Sequence, residues 1–223
     1  MIKSYNEKKL ICGIDEAGRG ALAGPVTISA VILPKSYHNE KIKDSKRLSK
    51  KKRLELFNEI VNVAIDFSIV NIDVQIIDET NILESTFLGM NQCINELKFI
   101  PDIYLIDGNK FKSEKKINYK CVVGGDNIYQ SIAAASILAK VSRDMKMKNL
   151  NYFYPKFSFN EHKGYGTKKH ILAINKYGLS PIHRLSFKLK EKQLSLKIWV
   201  YNFTLNEKNH FTFFIVFFMS KWQ

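Results

Sequence analysis

Apolar and polar positions along the chain fall into two periods. Strand-like runs come first: "KLICGIDE" (9–16), which ends on two acids, and "PVTISAVIL" (25–33), which a proline enters where the ladder tolerates one. "DSKRLSKKKRLELFNEIVNVA" then reads as a loop followed by a helix. Ser49 is its candidate N-cap, and Leu54, Phe57, Ile60, Val61 and Ala64 recur at helical spacing. "DFSIVNID" predicts a third strand. "DETNILESTFLGMNQCINEL" predicts a second helix with Leu83, Phe87, Met90, Ile94 and Leu97 on one side. "DIYLID" and "INYKCVVGG" predict two more strands, and "DNIYQSIAAASILAKVSRDMKMKNL" a long helix whose small side chains allow close approach to a sheet. This order predicts an α/β fold, a central mixed five-stranded sheet with helices on both faces. With no internal repeat or Pro/Gly/Ser-rich linker, residues 1–192 read as one domain. Residues 193–223 are an atypical apolar and aromatic extension, and their "FFIVFF" run is an aggregation hazard unless covered.

Composition narrows the function. The 223 residues are 45% hydrophobic, enough for a real core, and carry a net charge of +14. That excess of positive charge points to a polyanionic partner, most often nucleic acid, although a solvated lysine-rich surface gives the same total. From Leu196 onward the charge is small, so the basic field belongs to the main domain. Cys12, Cys93 and Cys121 show no CxxC spacing or His/Cys cluster, which points to a reducing compartment and away from zinc or a disulfide framework. The longest apolar block, 211–219, is shorter than the about 18–20 residues a membrane span needs. The expectation is a cytoplasmic protein with no membrane partner.

Ligands of open α/β sheets gather at strand ends, and four acids fall there: Asp15 and Glu16 after the first strand, Asp107 after the fourth, Asp126 after the fifth. Carboxylates without His or Cys make a hard oxygen site that suits Mg²⁺ or Mn²⁺. Two such ions can activate water and stabilise the leaving oxygen of a phosphodiester. Each acid also has a plainer explanation. Asp126 can cap the following helix, and Asp107-Gly108 can be a turn. Neighbouring strand residues face opposite ways, so Asp15 and Glu16 share a site only if the strand ends or bends after Ile14.

The blocks "GIDEAGRGALAGPV", "DSKRLS", "IDGN", "GGD" with "IAAASILAKVSRD", and "HKGYGT" occur in the order found in bacterial ribonuclease HII, and the chain resembles that family over roughly residues 9–187. The resemblance implies a ribonuclease H-like fold, cleavage of the RNA strand of RNA–DNA hybrids, and nicking of duplex DNA 5′ of an embedded ribonucleotide to leave 3′-hydroxyl and 5′-phosphate ends. It implies Mn²⁺ or Mg²⁺ in a two-metal site held by Asp15, Glu16, Asp107 and Asp126. Gly18, Arg19 and Gly20 match the loop that reads the ribose; a glycine backbone can approach the 2′-hydroxyl, and Arg19 would add a phosphate contact. Tyr165 matches the tyrosine that stacks on the neighbouring sugar. Lys46 and Lys163 are expected at phosphates, and Asp144 as a structural partner of a nearby Lys or Arg.

Three departures stand out: Ala21 where many relatives have proline, Leu185 where a second basic residue is common, and the C-terminal extension. The related ribonuclease HIII carries an N-terminal substrate-binding domain, and only 14 residues precede Asp15, which favours HII. Another ribonuclease H-like nuclease, such as a resolvase, would not need the ribose-reading pair. If the extension disrupts folding, a catalytically silent nucleic-acid-binding module is the alternative. The expected assembly is a monomer; a sliding-clamp partner is possible for the family, but no clamp-binding peptide stands out.

Overall fold

The structure is a computed structural model, and it describes residues 8–42 and 48–187. The extension at 193–223, the expected boundary at 192 and Lys46 lie outside the described residues. Strands β1 (Ile11–Ala17), β2 (Val26–Ile32) and β3 (Asp66–Ile72) form an antiparallel meander, and β4 (Ile103–Asp107) and β5 (Tyr119–Val122) add in parallel on the β1 side. The order is β3-β2-β1-β4-β5, the mixed five-stranded sheet the pattern predicts.

Helices α1 (Lys50–Val63), α2 (Val74–Glu79), α3 (Ile82–Glu96), α4 (Gln130–Phe153), α5 (Phe159–His162) and α6 (Lys168–Tyr177) complete the described chain. Strand alternation separates two cores. Cys12, Ile14, Ile28, Ala30 and Ile32 pack with Phe87, Met90 and Ile94 of α3. On the other face, Val31 and Leu33 pack with Leu56 and Ile60 of α1 and with Ala133, Ala134 and Leu138 of α4. The small residues of α4 bring it almost onto β1. A methyl on Gly13 would lie 2.1 Å from the Ser131 carbonyl carbon, so only glycine fits.

Two details differ from the pattern. The helix expected over 78–97 is α3 and starts later, at Ile82, because Asn81 caps it: its side chain accepts from the Leu83 and Glu84 amides at 2.9 and 3.0 Å, while Asp78 and Glu79 close the short preceding α2. In α1 the Ser49 cap is present, accepting from the Lys52 amide at 3.2 Å. Its buried contacts are Leu56 and Ile60, while Leu54 is exposed. Among the described residues no helix is long and apolar enough to cross a membrane.

Candidate active site

The strand register fixes where the acids lie. Because β1 and β4 run parallel with Ile14 opposite Ile106, Asp15 and Asp107 follow as neighbours at adjacent strand ends, on the α4 face. β1 does not bend after Ile14. Its pairing with β2 continues through Asp15↔Ser29 and Glu16↔Ile28 to Ala17↔Thr27. Asp15 therefore faces α4 and Glu16 the α3 side, and the strand neither ends nor bends between them. The Glu16 charge nevertheless acts on Asp15, and β4 stops pairing with β1 at Ile14.

Asp15 is 5% exposed. Burial, then the charges of Glu16 and Asp107, hold its carboxyl well above the usual carboxylate range; bonds from Ser136 and the Glu16 amide only partly oppose this. The Glu16 amide donates to Asp15 Oδ1 at 2.7 Å, and Arg19 Nη1 pairs with Glu16 Oε1 at 3.1 Å. Asp107 Oδ1 accepts the Gly125 amide at 2.7 Å, which fastens the turn carrying Asp126 to the end of β4. Asp126 is buried and accepts from Asn127 Nδ2 at 2.9 Å. It does not cap α4, whose N-cap is Tyr129 with no side-chain cap bond.

A divalent cation suits this corner in kind. The donors are hard oxygens, Asp15 is held among like charges, and Ser29 Oγ, opposite Asp15, is buried with no partner among the described residues. Even so, among the described residues no three His, Cys, Asp or Glu side chains are gathered tightly enough to hold a metal ion as they stand.

Of the expected substrate residues, Arg19 touches the acids directly, through Glu16. Gly18 has φ +98°, and a methyl there would lie 1.9 Å from Arg143 Nε, so the fold itself demands glycine. Gly20 has open space around the position of a Cβ. Ala21 donates its N–H to Gly18 O at 3.3 Å, a closure that proline could not make. Lys163 has φ +54°, and its ammonium is turned onto the carbonyls of Asn160 and Glu161. Burial and neighbouring cations lower its pKa against the pull of Asp144. Tyr165 is half-buried, its ring flanked by Lys140 Nζ at 5.6 Å and Arg143 Cζ at 5.2 Å. Asp144 pairs with Lys140 at 2.8 Å, the structural role expected of it. Leu185 is exposed, and its amide donates to Asp78 Oδ2 at 2.9 Å.

Two residues that the sequence reading missed hold these loops together. Arg143, 0% exposed, donates to the carbonyls of Pro25 (2.9 Å), Lys163 (3.0 Å) and Ala23 (3.1 Å). Arg184 donates through Nε and Nη2 to Gly24 O and through Nη1 to Arg19 O. Burial, then the charge of Arg143, lowers Arg184 to about 9. A signal for Arg143 was present: it falls on the stripe Ile132, Ser136, Ala139, Met147, the buried side of α4.

Sheet, helices and acidic strand ends together define a ribonuclease H-like enzyme. The Ribonuclease HII family model matches residues 12–190, and the chain belongs to that family. Curated Ribonuclease HII of Endomicrobium trichonymphae is 52% identical over 79% of this chain and 84% of its own length. That of Christiangramia forsetii is 46% identical over 88% and 99%. Among solved structures, the ribonuclease H2 from Pyrococcus horikoshii OT3 matches with a TM-score of 0.68 at 25% identity, covering 82% of this chain and 96% of that one. The RNase HII in a PCNA:RNase HII complex from Archaeoglobus fulgidus matches with a TM-score of 0.66 at 25% identity, covering 81% and 96%. The chain is thus a ribonuclease H, a divalent-metal-dependent hydrolase that cleaves the RNA strand of RNA–DNA hybrids.

Proposed function

We propose that this enzyme also nicks duplex DNA on the 5′ side of a single embedded ribonucleotide, leaving 3′-hydroxyl and 5′-phosphate ends. Asp15, Glu16, Asp107 and Asp126 would hold Mn²⁺ or Mg²⁺. The observation that carries this reading is the buried Asp15 carboxyl set against Glu16 and Asp107 at an open strand end, in a chain of net charge +14. When bound, a pair of divalent ions supplies an activated water and stabilises the leaving oxygen. The chain's own residues do the rest. Asp107 keeps the Asp126 turn in place through Gly125. The 18–20 loop, held by Arg184 at Arg19 O, presents backbone to a 2′-hydroxyl, the group that separates RNA from DNA. Tyr165 offers a ring face to the adjoining sugar. Lys46, Lys163 and Arg19 add phosphate contacts, for which Arg19 must leave Glu16 and Lys163 must leave its local carbonyls. Residues 1–192 are read as the catalytic unit and 193–223 as an extension.

The decisive assay offers three duplexes with Mn²⁺ or Mg²⁺: DNA with one ribonucleotide, all-DNA, and an RNA–DNA hybrid. Cutting at the 5′ side of the lone ribonucleotide and within the hybrid, with all-DNA intact, is the expected result. Cutting of all-DNA would indicate a different nuclease, and binding of all three without cutting a silent module.

The two glycines of the loop separate fold from function. Gly18→Ala is expected to unfold or strongly destabilise the protein, by its positive φ and its collision with Arg143. Gly20→Ala meets nothing within 4 Å and is expected to melt like wild type. Its effect should fall on KM for the single-ribonucleotide duplex, about tenfold, because the added methyl keeps the backbone from the sugar. Equal melting losses in the two variants would show that the loop is only a turn.

A further inference from the structure

Three histidines lie together against the backbone of the Tyr165 loop. His162 and His170 stack at 4.3 Å, and His170 Nε2 meets His183 Nε2 at 3.0 Å. Phe159 packs edgewise or tilted on all three rings, at 5.4–5.8 Å, and Phe157 on His183 at 5.0 Å.

The hydrogen bonds at the two ends of this chain fix its direction. At one end His170 Nδ1 lies 3.0 Å from the Tyr165 carbonyl, which can only accept, so Nδ1 carries a proton. At the other end His183 Nδ1 meets the Ser180 amide, which can only donate, at 2.8 Å, the Ser180 hydroxyl at 2.7 Å and the Ser180 carbonyl at 3.3 Å; the short amide bond outweighs the longer carbonyl contact and assigns that nitrogen a lone pair. The 3.0 Å contact between them then has one solution: His183 Nε2–H donates to a bare His170 Nε2. A proton added to His170 would set two N–H groups head-on, and one added to His183 would exchange the Ser180 amide bond for the Ser180 hydroxyl and the longer carbonyl contact. His162 is fixed in the same way, with Nε2 at 2.7 Å from the Phe157 carbonyl and Nδ1 accepting the Gly164 amide at 3.2 Å.

We propose that His170 and His183 are positioning residues for Tyr165, forming a one-way hydrogen-bond relay from the Ser180 amide to the Tyr165 carbonyl that exists only while both rings are neutral. The proposal rests on the reading of Tyr165 as a substrate contact. The Thr167 amide shares the Tyr165 carbonyl at 2.8 Å, and the Thr167 hydroxyl accepts from the His170 amide at 3.3 Å. The relay thus ties the start of α6 and the Ser180–Arg184 turn to the backbone under the aromatic ring. The surroundings keep the rings uncharged. Burial comes first for both His170 and His183, followed by repulsion from His162 for His170 and, for His183, by a partly opposing Ser180 bond and the same repulsion; each falls to about 4. Burial also lowers His162. The charged groups around the trio are Glu161, Lys163 and Lys169 beside His162, Arg143 from α4 through the Lys163 carbonyl, and Arg184 next to His183. Glu161, the carboxylate among them, is paired with Lys169 at 2.6 Å.

Long-range ¹H–¹⁵N spectra of the full chain at about pH 6, below the ordinary histidine value of about 6.5, read the tautomers directly. His170 is expected as the neutral Nδ1–H form, and His162 and His183 as neutral Nε2–H forms. A charged His170 or His183, or the opposite tautomer of either, overturns the relay. The functional arm compares His170→Phe with His170→Asn, whose side-chain amide can still donate to the Tyr165 carbonyl. His170→Phe is expected to raise KM for the single-ribonucleotide duplex about tenfold with kcat nearly unchanged, and His170→Asn to restore most of that loss. A folded His170→Phe protein with wild-type KM, or an Asn variant no better than Phe, refutes the positioning role. Should His170→Phe fail to fold, the tautomer spectra of the wild type still decide. If Tyr165→Ala itself leaves KM unchanged while the tautomers are as stated, the substrate reading of Tyr165 fails and the relay is purely structural.

Discussion

Asp15→Asn is expected to make the metal-free protein more stable and to lower cleavage by about 10³, a loss of about 4 kcal/mol of transition-state stabilisation. Asp15 is almost fully buried beside Glu16 and Asp107, and its carboxyl is pushed well above its ordinary value. The native state therefore holds the Asp15 proton more tightly than the unfolded chain does, where the pKa is about 3.9. Whatever this group contributes to folding is greatest below the unfolded value and declines as pH rises through the folded value. Metal-free wild type should lose stability across that window, and Asp15→Asn, which has no charge to develop, should not. At neutral pH the variant should melt higher, by about 2–4 °C for each kcal/mol of relieved repulsion in a protein of this size. Added Mn²⁺ or Mg²⁺ should raise the wild-type melting temperature and leave the variant nearly unmoved. Thermal melts in a chelator across pH, together with single-turnover cleavage, test both halves. An Asp15→Asn protein that melts lower and still cuts would make Asp15 a structural polar group.

The layers of this protein were legible because they depend on local period. Alternation in β2 separates Ile28, Ala30 and Ile32 from Thr27, Ser29 and Val31, and the two cores follow that division. The alanines of α4 predicted a close approach, and the register of Gly13 against Ser131 delivers it. Less legible was what depends on one residue's backbone choice. Asn81 starts α3 inside an apolar-periodic run, where its side chain accepts from two helix-start amides. The four carboxylates could be named from their positions at strand ends, but not their facing: the sequence left open whether β1 ends or bends after Ile14, and its pairing with β2 runs on through Ala17. Least legible were the buried arginines. Their acceptors are main-chain carbonyls 118–165 residues away for Arg143 Nε and Arg184 Nη1, and a carbonyl leaves no mark in a sequence.

Arg143→Met is expected to destabilise the protein by about 3 kcal/mol, as buried acceptors left without a donor cost about 1–3 kcal/mol each and the removal of a costly buried charge offsets part of the sum. Arg143 lies wholly inside the protein, with its guanidinium pKa lowered by burial and raised in part by Tyr165 and Asp144. Its fork meets carbonyls on two separate segments, Ala23 and Pro25 after the glycine loop and Lys163 before Tyr165. Lysine, with a compact ammonium, cannot span that set, so Arg143→Lys should recover little of the loss. The same side chain forbids a methyl at Gly18, which would fall 1.9 Å from Nε. Stability should therefore be coupled between the two positions. In Arg143→Ala the collision is gone and only the strain of φ +98° opposes Gly18→Ala, so the double variant should be more stable than the two single losses predict. Strict additivity in denaturant melts would mean that the two positions do not meet. Coupling in stability, accompanied by a KM increase for the single-ribonucleotide duplex in Arg143→Lys, would mark Arg143 as the strut that sets the glycine loop against Tyr165.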